Sequence, residues 1–354
     1  MTASRFFFMT VQVGAEGAAK AEVARVRPDW RAAFSRPGFL TFKLPEGCSL
    51  GDRLDLGLVF ARSRALSLGR VTGDDPARLP ADLWRLVGDR PVRRVHVWPR
   101  DPVPPGERDF EPGITAAATA VAQAVCRAAP PQISLASPPN STACAGEAVL
   151  DCVLVEPDAW WIGWHVAGDV PSRWPGGIPP ISLPEEAVSR AWMKMEEAIA
   201  WSGLPLTAGT TVAEIGCAPG GTSQALLARG LVVLGIDPAE VHPAVLAQPR
   251  FHHLRGRARQ IPRRALRPAR YLVADMSVAP KYTLDVVEDF VTRPDLRIRG
   301  LLLMLKFSNW ALAEQLPEYL GRIGGWGFRE VRARHLAFNR HEVCVAASRV
   351  RPAS

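Results

Sequence analysis

The sequence predicts two architectures in one chain: small α+β domains in the first half, and a doubly wound α/β sheet, parallel with a late antiparallel hairpin, in the second. Three observations carry this. Strand-like and helix-like patterns interleave within short spans before residue 170. The stretch "DVPSRWPGGIPPISLPEEAVSR", Asp169 to Arg190, is dense in proline and glycine and breaks the chain there. Beyond it strand and helix alternate, and runs such as "LVVLGI" and "GLLLMLK" are apolar at nearly every position, as strands buried on both faces require. The expected division is 1–78, 79–170 and 171–354, with a linker at 169–190.

The elements follow in order. "FFFMTVQV", "AEGAAKAEVARV" and "AAFSRPGFLTFKL" read as strand, helix and strand, and "LGLVFARSRALSLGRV" as a further helix and strand. A second unit contains the strand "VRRVHVWPR", the loop "DPVPPGERDFEPG", the Ala-rich helix "ITAAATAVAQAVCRAA" and the paired strands "EAVLDCVLVEP" and "AWWIGWHVAG". After the linker comes a helix, "EEAVSRAWMKMEEAIAWSG". The strands that follow it are "TVAEIGCA", "LVVLGID", "RFHHLRG", "RYLVADM", "GLLLMLKF", "FREVRARHL" and "HEVCVAASRV".

Composition narrows the function. Of 354 residues, 43 are Lys or Arg and 35 Asp or Glu, so the net charge of +8 is a mild argument for a polyanionic partner. The six cysteines are scattered, with no zinc spacing and no disulfide framework, so no metal is expected and the thiols read as reduced. "MTASRFFFMTVQVG" is neither a signal peptide nor an anchor, and no apolar run is long enough to span a bilayer. A cytoplasmic location without membrane attachment is expected.

The informative motif is "VAEIGCAPGG", a strand running into a glycine turn. In a doubly wound sheet, ligands sit beyond the carboxyl ends of strands where strand order reverses. Gly216, Gly220 and Gly221 would let backbone approach a ligand, and Pro219 would stiffen the turn beside Ala218. The next strand ends in Asp237, placed where a carboxylate accepts both hydroxyls of a ribose. Dinucleotide folds show GxGxxG, whereas this spacing is GxxxGG, which speaks against a nicotinamide-dependent oxidoreductase. Together with Glu214, the spacing is what S-adenosylmethionine-dependent methyltransferases show.

The acceptor is argued from other residues. "ADMSVAPKY" lacks the loop of amino-group methyltransferases, and no cysteine nucleophile stands near a proline there. What stands at strand ends is Asp275, Lys306 and Glu342, with Lys194 in the preceding helix. That set suits an alcohol: a ribose hydroxyl is a very weak acid and needs a base within hydrogen-bond reach. Lys306, once neutral, is the expected base. Lys194 is its cationic neighbour, and Asp275 and Glu342 orient the two ammonium groups.

The series Lys194, Asp275, Lys306, Glu342 behind "EIGCAPGG" resembles the FtsJ-like ribose 2′-O-methyltransferases. Further stretches join in the resemblance: "RPGFLTF", "LVFARSRALSLG", "RWPGGIP", "SRAWMKMEEA" and "NRHEVCV". It implies S-adenosyl-L-methionine as cofactor, held by Glu214, Gly216, Ala218, Pro219, Gly220, Gly221, Asp237 and Asp275. It also implies RNA as partner, with a cytidine of large-subunit ribosomal RNA or a ribosomal precursor as substrate. The implied architecture is a ferredoxin-like domain over 1–78, a THUMP-like RNA-binding domain over 79–170 and a Rossmann-like catalytic domain. The chain departs from the family in having Thr222 where an aromatic usually follows the glycines. It also has no clear acid in "HLRGRARQIP" to contact adenine. A non-catalytic RNA-binding or assembly factor retaining the fold is the competing expectation.

Arg250 to Arg270 holds eight arginines and no acid, which makes a phosphate-binding face the expectation for that segment. The tryptophans from Trp160 to Trp201 could stack on bases, but packing at the domain junction is the expectation, since aromatic clusters are usually core.

Overall fold

In the computed structural model, which describes residues 5–48, 50–75 and 77–349, the chain divides into two units, residues 1–180 and 181–354. Each is built on one seven-stranded sheet.

The strands of the first unit are β1 (Phe6–Thr10), β2 (Arg31–Arg36), β3 (Phe39–Lys43), β4 (Ser63–Thr72), β5 (Arg94–Pro99), β6 (Ala148–Glu156) and β7 (Ala159–Val166), in the spatial order β2-β3-β1-β4-β7-β6-β5. Its helices are α1 (Glu16–Val26), α2 (Leu79–Val87) and α3 (Ala116–Arg127). Only β5 and β6 run parallel, and α3 lies in the crossover that a parallel pair needs. Thr115 caps α3 by accepting from the Ala118 N–H at 3.1 Å, a contact worth about 1 kcal/mol. Because β4 pairs with β1 on one side and β7 on the other, the sheet is continuous across residue 78.

Three local expectations change here. "AAFSRPGFLTFKL" is two strands, β2 and β3, turned at Pro37 and Gly38. No helix forms over residues 56–62, where the Glu22 carboxylate of α1 takes the Val59 and Phe60 N–H groups at 2.8 and 3.1 Å. Helix α2 was not anticipated; Leu79, Leu83, Trp84 and Val87 face the core from it. Trp160 and Trp164 pack with α2 and α3, Trp161 packs with Phe39 on the other sheet face, and Trp201 lies in the core of the second unit, so these four pack inside a unit.

In the second unit, α4 (Ala191–Ser202) precedes β8 (Thr211–Ile215), α5 (Gly221–Ala228), β9 (Val232–Asp237), α6 (Pro243–Leu246), β10 (Phe251–Arg255), β11 (Tyr271–Ala274), α7 (Pro280–Val291), β12 (Gly300–Lys306), α8 (Leu316–Gly324), β13 (Glu330–Arg334) and β14 (Glu342–Ser348). The order is β10-β9-β8-β11-β12-β14-β13. The first five strands are parallel and the last two antiparallel, the doubly wound sheet with a late hairpin. Val350, at the end of the expected last strand, lies outside the described residues. Val212, Val233, Val273, Leu302 and Ala346 meet Met195, Ala198 and Leu226 of α4 and α5 in one core. Each fully buried aliphatic side chain there contributes about 1.5–3 kcal/mol.

This topology locates the site. From β8 the chain proceeds outward to β9 and β10, then crosses back to β11 on the other side. The reversal falls between β8 and β11, whose carboxyl ends lead into Gly216 and Asp275.

Candidate active site

The glycine turn is dictated by crowding. Gly216 has φ +85°, and a Cβ there would lie 2.7 Å from the Asp275 carbonyl oxygen of the neighbouring strand end. A side chain is excluded at the switch point. Gly221 opens α5, as the motif predicts, and a Cβ on Gly220 would strike Val245.

Next to this turn lies a cavity of about 540 Å³. Its walls include Gly216, Ala218, Asp237 and Asp275 from the expected set. Asp237 ends β9 with both oxygens anchored: Oδ2 accepts from the Ala218 N–H at 3.1 Å and Oδ1 from the Ala239 N–H at 2.8 Å. Each carboxylate oxygen keeps a second lone pair. The carboxylate is thus fixed by backbone before any ligand arrives.

Glu214, in β8, is fully buried. Its Oε2 accepts from the Ser223 hydroxyl at 2.6 Å, and its Oε1 has no partner. Burial pushes its pKa up to about 8; the Ser223 hydrogen bond opposes this, while Asp275 and Asp237 push it further. Burial thus favours the neutral acid form of Glu214. Its bond to Ser223 ties β8 to α5.

The four expected catalytic residues come together. Lys306 and Glu342 are cross-strand partners at the ends of β12 and β14, which places their side chains on one face. Lys194 reaches them from α4 and forms an ion pair with Glu342 Oε1, both side chains being largely buried. Lys306 Nζ lies 3.1 Å from Asp275 Oδ1, without the direction of a hydrogen bond, so that attraction is Coulombic. Its directed bond is to Ser277 Oγ at 3.2 Å. The result is an alternating row, Lys194, Glu342, Lys306, Asp275. Burial is the largest influence on Glu342 and pushes its pKa up, yet the Lys194 and Lys306 ammonium groups together bring it below the usual carboxylate range. Glu342 therefore stays ionised between two cations. The row ends at Asp275, on the cavity wall.

Sequence reasoning did not single out Ser223, Ser277 or Tyr282. Ser223 becomes visible only through its bond to Glu214, and the role of Ser277 through its bond to Lys306. Tyr282 lines the cavity and is 48% exposed. A signal did exist for Ser277, two residues beyond Asp275 in the strand-end segment "ADMS".

The arginine-rich segment divides. Arg263 donates to the Asp289 carbonyl and lies over the Phe290 ring at 4.9 Å, so it packs on α7. Arg259 lies 3.4 Å from Asp289, and Arg255 3.5 Å from Glu240. Arg264 and Arg267 are exposed. Among the described residues, no group of three or more His, Cys, Asp or Glu could hold a metal ion, and no helix is long and apolar enough to cross a membrane.

Residues 187–315 match the family model described as FtsJ-like methyltransferase. The chain is 32% identical over 178 residues to the ribosomal RNA large subunit methyltransferase M of Aromatoleum aromaticum, covering 48% of each chain. It is 30% identical over 207 residues to the protein of that name from Thauera aminoaromatica, covering 56% of each. It spans about half the length of the curated relatives it matches. The structure is also similar to that of TrmN from Thermus thermophilus, at 15% identity, over 97% of this chain and 99% of that one, with a TM-score of 0.34, too loose a likeness to argue from. The similarity to FtsJ-like methyltransferases thus falls within the second unit, over residues 187–315.

Proposed function

We propose that the protein is an S-adenosylmethionine-dependent ribose 2′-O-methyltransferase acting on RNA, with a cytidine of large-subunit ribosomal RNA as its target. The observation that carries this is the row Lys194, Glu342, Lys306, Asp275 ending at the wall of a cavity that also holds Gly216 and Asp237.

The residues fit the cofactor: the Gly216 turn has no room for a side chain, and the anchored Asp237 carboxylate has lone pairs suited to a ribose diol. Gly216, Ala218, Asp237 and Asp275 would hold it directly, with Glu214, Pro219, Gly220 and Gly221 shaping the turn. When bound, S-adenosylmethionine supplies an electrophilic methyl group. Lys306 Nζ, once it has given up its own proton, receives the proton of the ribose 2′-hydroxyl, and Asp275 and Ser277 aim it. Lys194 fixes Glu342 and, through it, the neighbouring Lys306.

The first unit supplies RNA affinity in this reading, with residues 1–78 ferredoxin-like and 79–170 THUMP-like. Its substrate, ribosomal RNA or a precursor particle, places its work in the cytoplasm. Ribose methylation mapped across ribosomal RNA from a strain lacking the gene tests the proposal. Loss of one large-subunit methylation is expected; an unchanged map would refute the assignment.

A further inference from the structure

The two ends of the cavity differ in chemistry. One end holds Gly216 and Asp275, close to Lys306. The other lies beyond Asp237, because β10 sits outside β9: Arg255 pairs with Asp237, and the Gly256 N–H donates to the Asp237 carbonyl at 3.2 Å. The far wall is the segment from Gly256 to Gln260, together with Val278 and, from α7, Tyr282 and Val286. This wall is tied together. The Arg259 guanidinium lies 6.0 Å from the centre of the Tyr282 ring and 3.4 Å from Asp289.

Among the described residues lining this cavity the acids are Asp237 and Asp275, neither on the far wall. That wall has two arginines, Arg257 and Arg259, and no carboxylate. Its side-chain acceptor, Gln260 Oε1, already takes the Arg257 N–H at 3.1 Å. With the ribose on Asp237 and the methyl-bearing part toward Asp275, the nucleobase is left to this wall.

We infer that the cavity holds the purine base of its nucleoside by the faces of the ring, against Ala258, Val278 and Tyr282, and not by a carboxylate reading the exocyclic amine. The inference rests on the methyltransferase reading and goes beyond it. A site rejects an analogue lacking a hydrogen-bond donor mainly because its own buried acceptor is left unpaired. No carboxylate here is left unpaired by removing the amine. Conversion of the amine to a carbonyl would present an acceptor to a wall that carries guanidinium donors.

Calorimetry on the full chain with S-adenosylhomocysteine and with S-inosylhomocysteine, its deaminated counterpart, tests this. The two affinities are expected to agree within about tenfold, against the 10⁴ or more seen where a site hydrogen-bonds the missing group. Tyr282→Ala should weaken both ligands alike, by about tenfold, as loss of one stacking partner does, and Tyr282→Phe should restore both. Rejection of the inosyl compound by more than tenfold, or parent-like affinities in Tyr282→Ala, would overturn the inference. Failure of the parent protein to bind S-adenosylhomocysteine at all would instead overturn the methyltransferase reading and this inference with it.

Discussion

Replacing Glu214 by glutamine should make the protein more stable than its parent at pH 9 while leaving the two similar near pH 5. Glu214 is fully buried, and burial raises its pKa from the ordinary 4.5 to about 8 in the folded chain, against the opposing Ser223 hydrogen bond. A carboxyl with a raised folded-state pKa contributes stability that is whole below pH 4.5 and is lost as pH rises through 8, because the folded state must then bury a charge. At about 1.4 kcal/mol per unit, the parent loses on the order of 5 kcal/mol across that window through this one group. Glutamine does not titrate, and its carbonyl can still accept from Ser223. Denaturant unfolding of both proteins at pH 5 and pH 9, followed by tryptophan fluorescence with Trp201 in the core of the second unit, reads the difference. Titrations common to both proteins cancel in the comparison. An equal stability gap at the two pH values would show that Glu214 is not held neutral and would refute the reasoning.

Other expectations concern the site. Asp237→Ala should weaken S-adenosylmethionine binding ten- to a hundredfold by calorimetry, since charge-assisted hydrogen bonds are worth about 1.5–3 kcal/mol. Asp237→Asn, which keeps one backbone acceptor, should lose less. Lys306→Arg keeps the charge facing Asp275 but cannot act as a base, so single-turnover transfer should fall to the level of Lys306→Ala; appreciable arginine activity would reduce the lysine to a fixed cation. For RNA, the exposed Arg264 and Arg267 make the better test pair, because Arg263 is committed to α7. Changing both to glutamine should lower the log–log salt slope of binding by about 2, and an unchanged slope would leave the segment a solvated loop.

Much of the second unit was legible because its physics is local. Strands buried on both faces must be apolar throughout, as in Gly300–Lys306, and the acid closing such a strand at Asp237 lies on the cavity wall. The order Lys194, Asp275, Lys306, Glu342 could be read without coordinates, but not that Lys306 and Glu342 stand side by side, which follows from antiparallel pairing of β14 on β12. The failures were non-local. Residues 56–62 have a helix-compatible pattern, but a carboxylate 37 residues away, that of Glu22, takes the Val59 N–H. Helix α2 did have a signal, Leu79, Leu83 and Val87 at four-residue spacing. At the far wall the arginine-rich, acid-free segment after β10 was legible, but the part of Tyr282 was not, because Arg259 and Tyr282 meet only once that segment folds onto α7.

Transfer of a labelled methyl group from S-adenosylmethionine to large-subunit ribosomal RNA by the full chain tests the central claim most directly. The label should appear in alkali-resistant dinucleotides, because a methylated 2′-oxygen cannot attack the adjacent phosphate, and Lys306→Ala should yield none. Label recovered in alkali-sensitive nucleotides would place the methyl on a base, and undiminished transfer by Lys306→Ala would remove the lysine from the chemistry; either result would contradict the account.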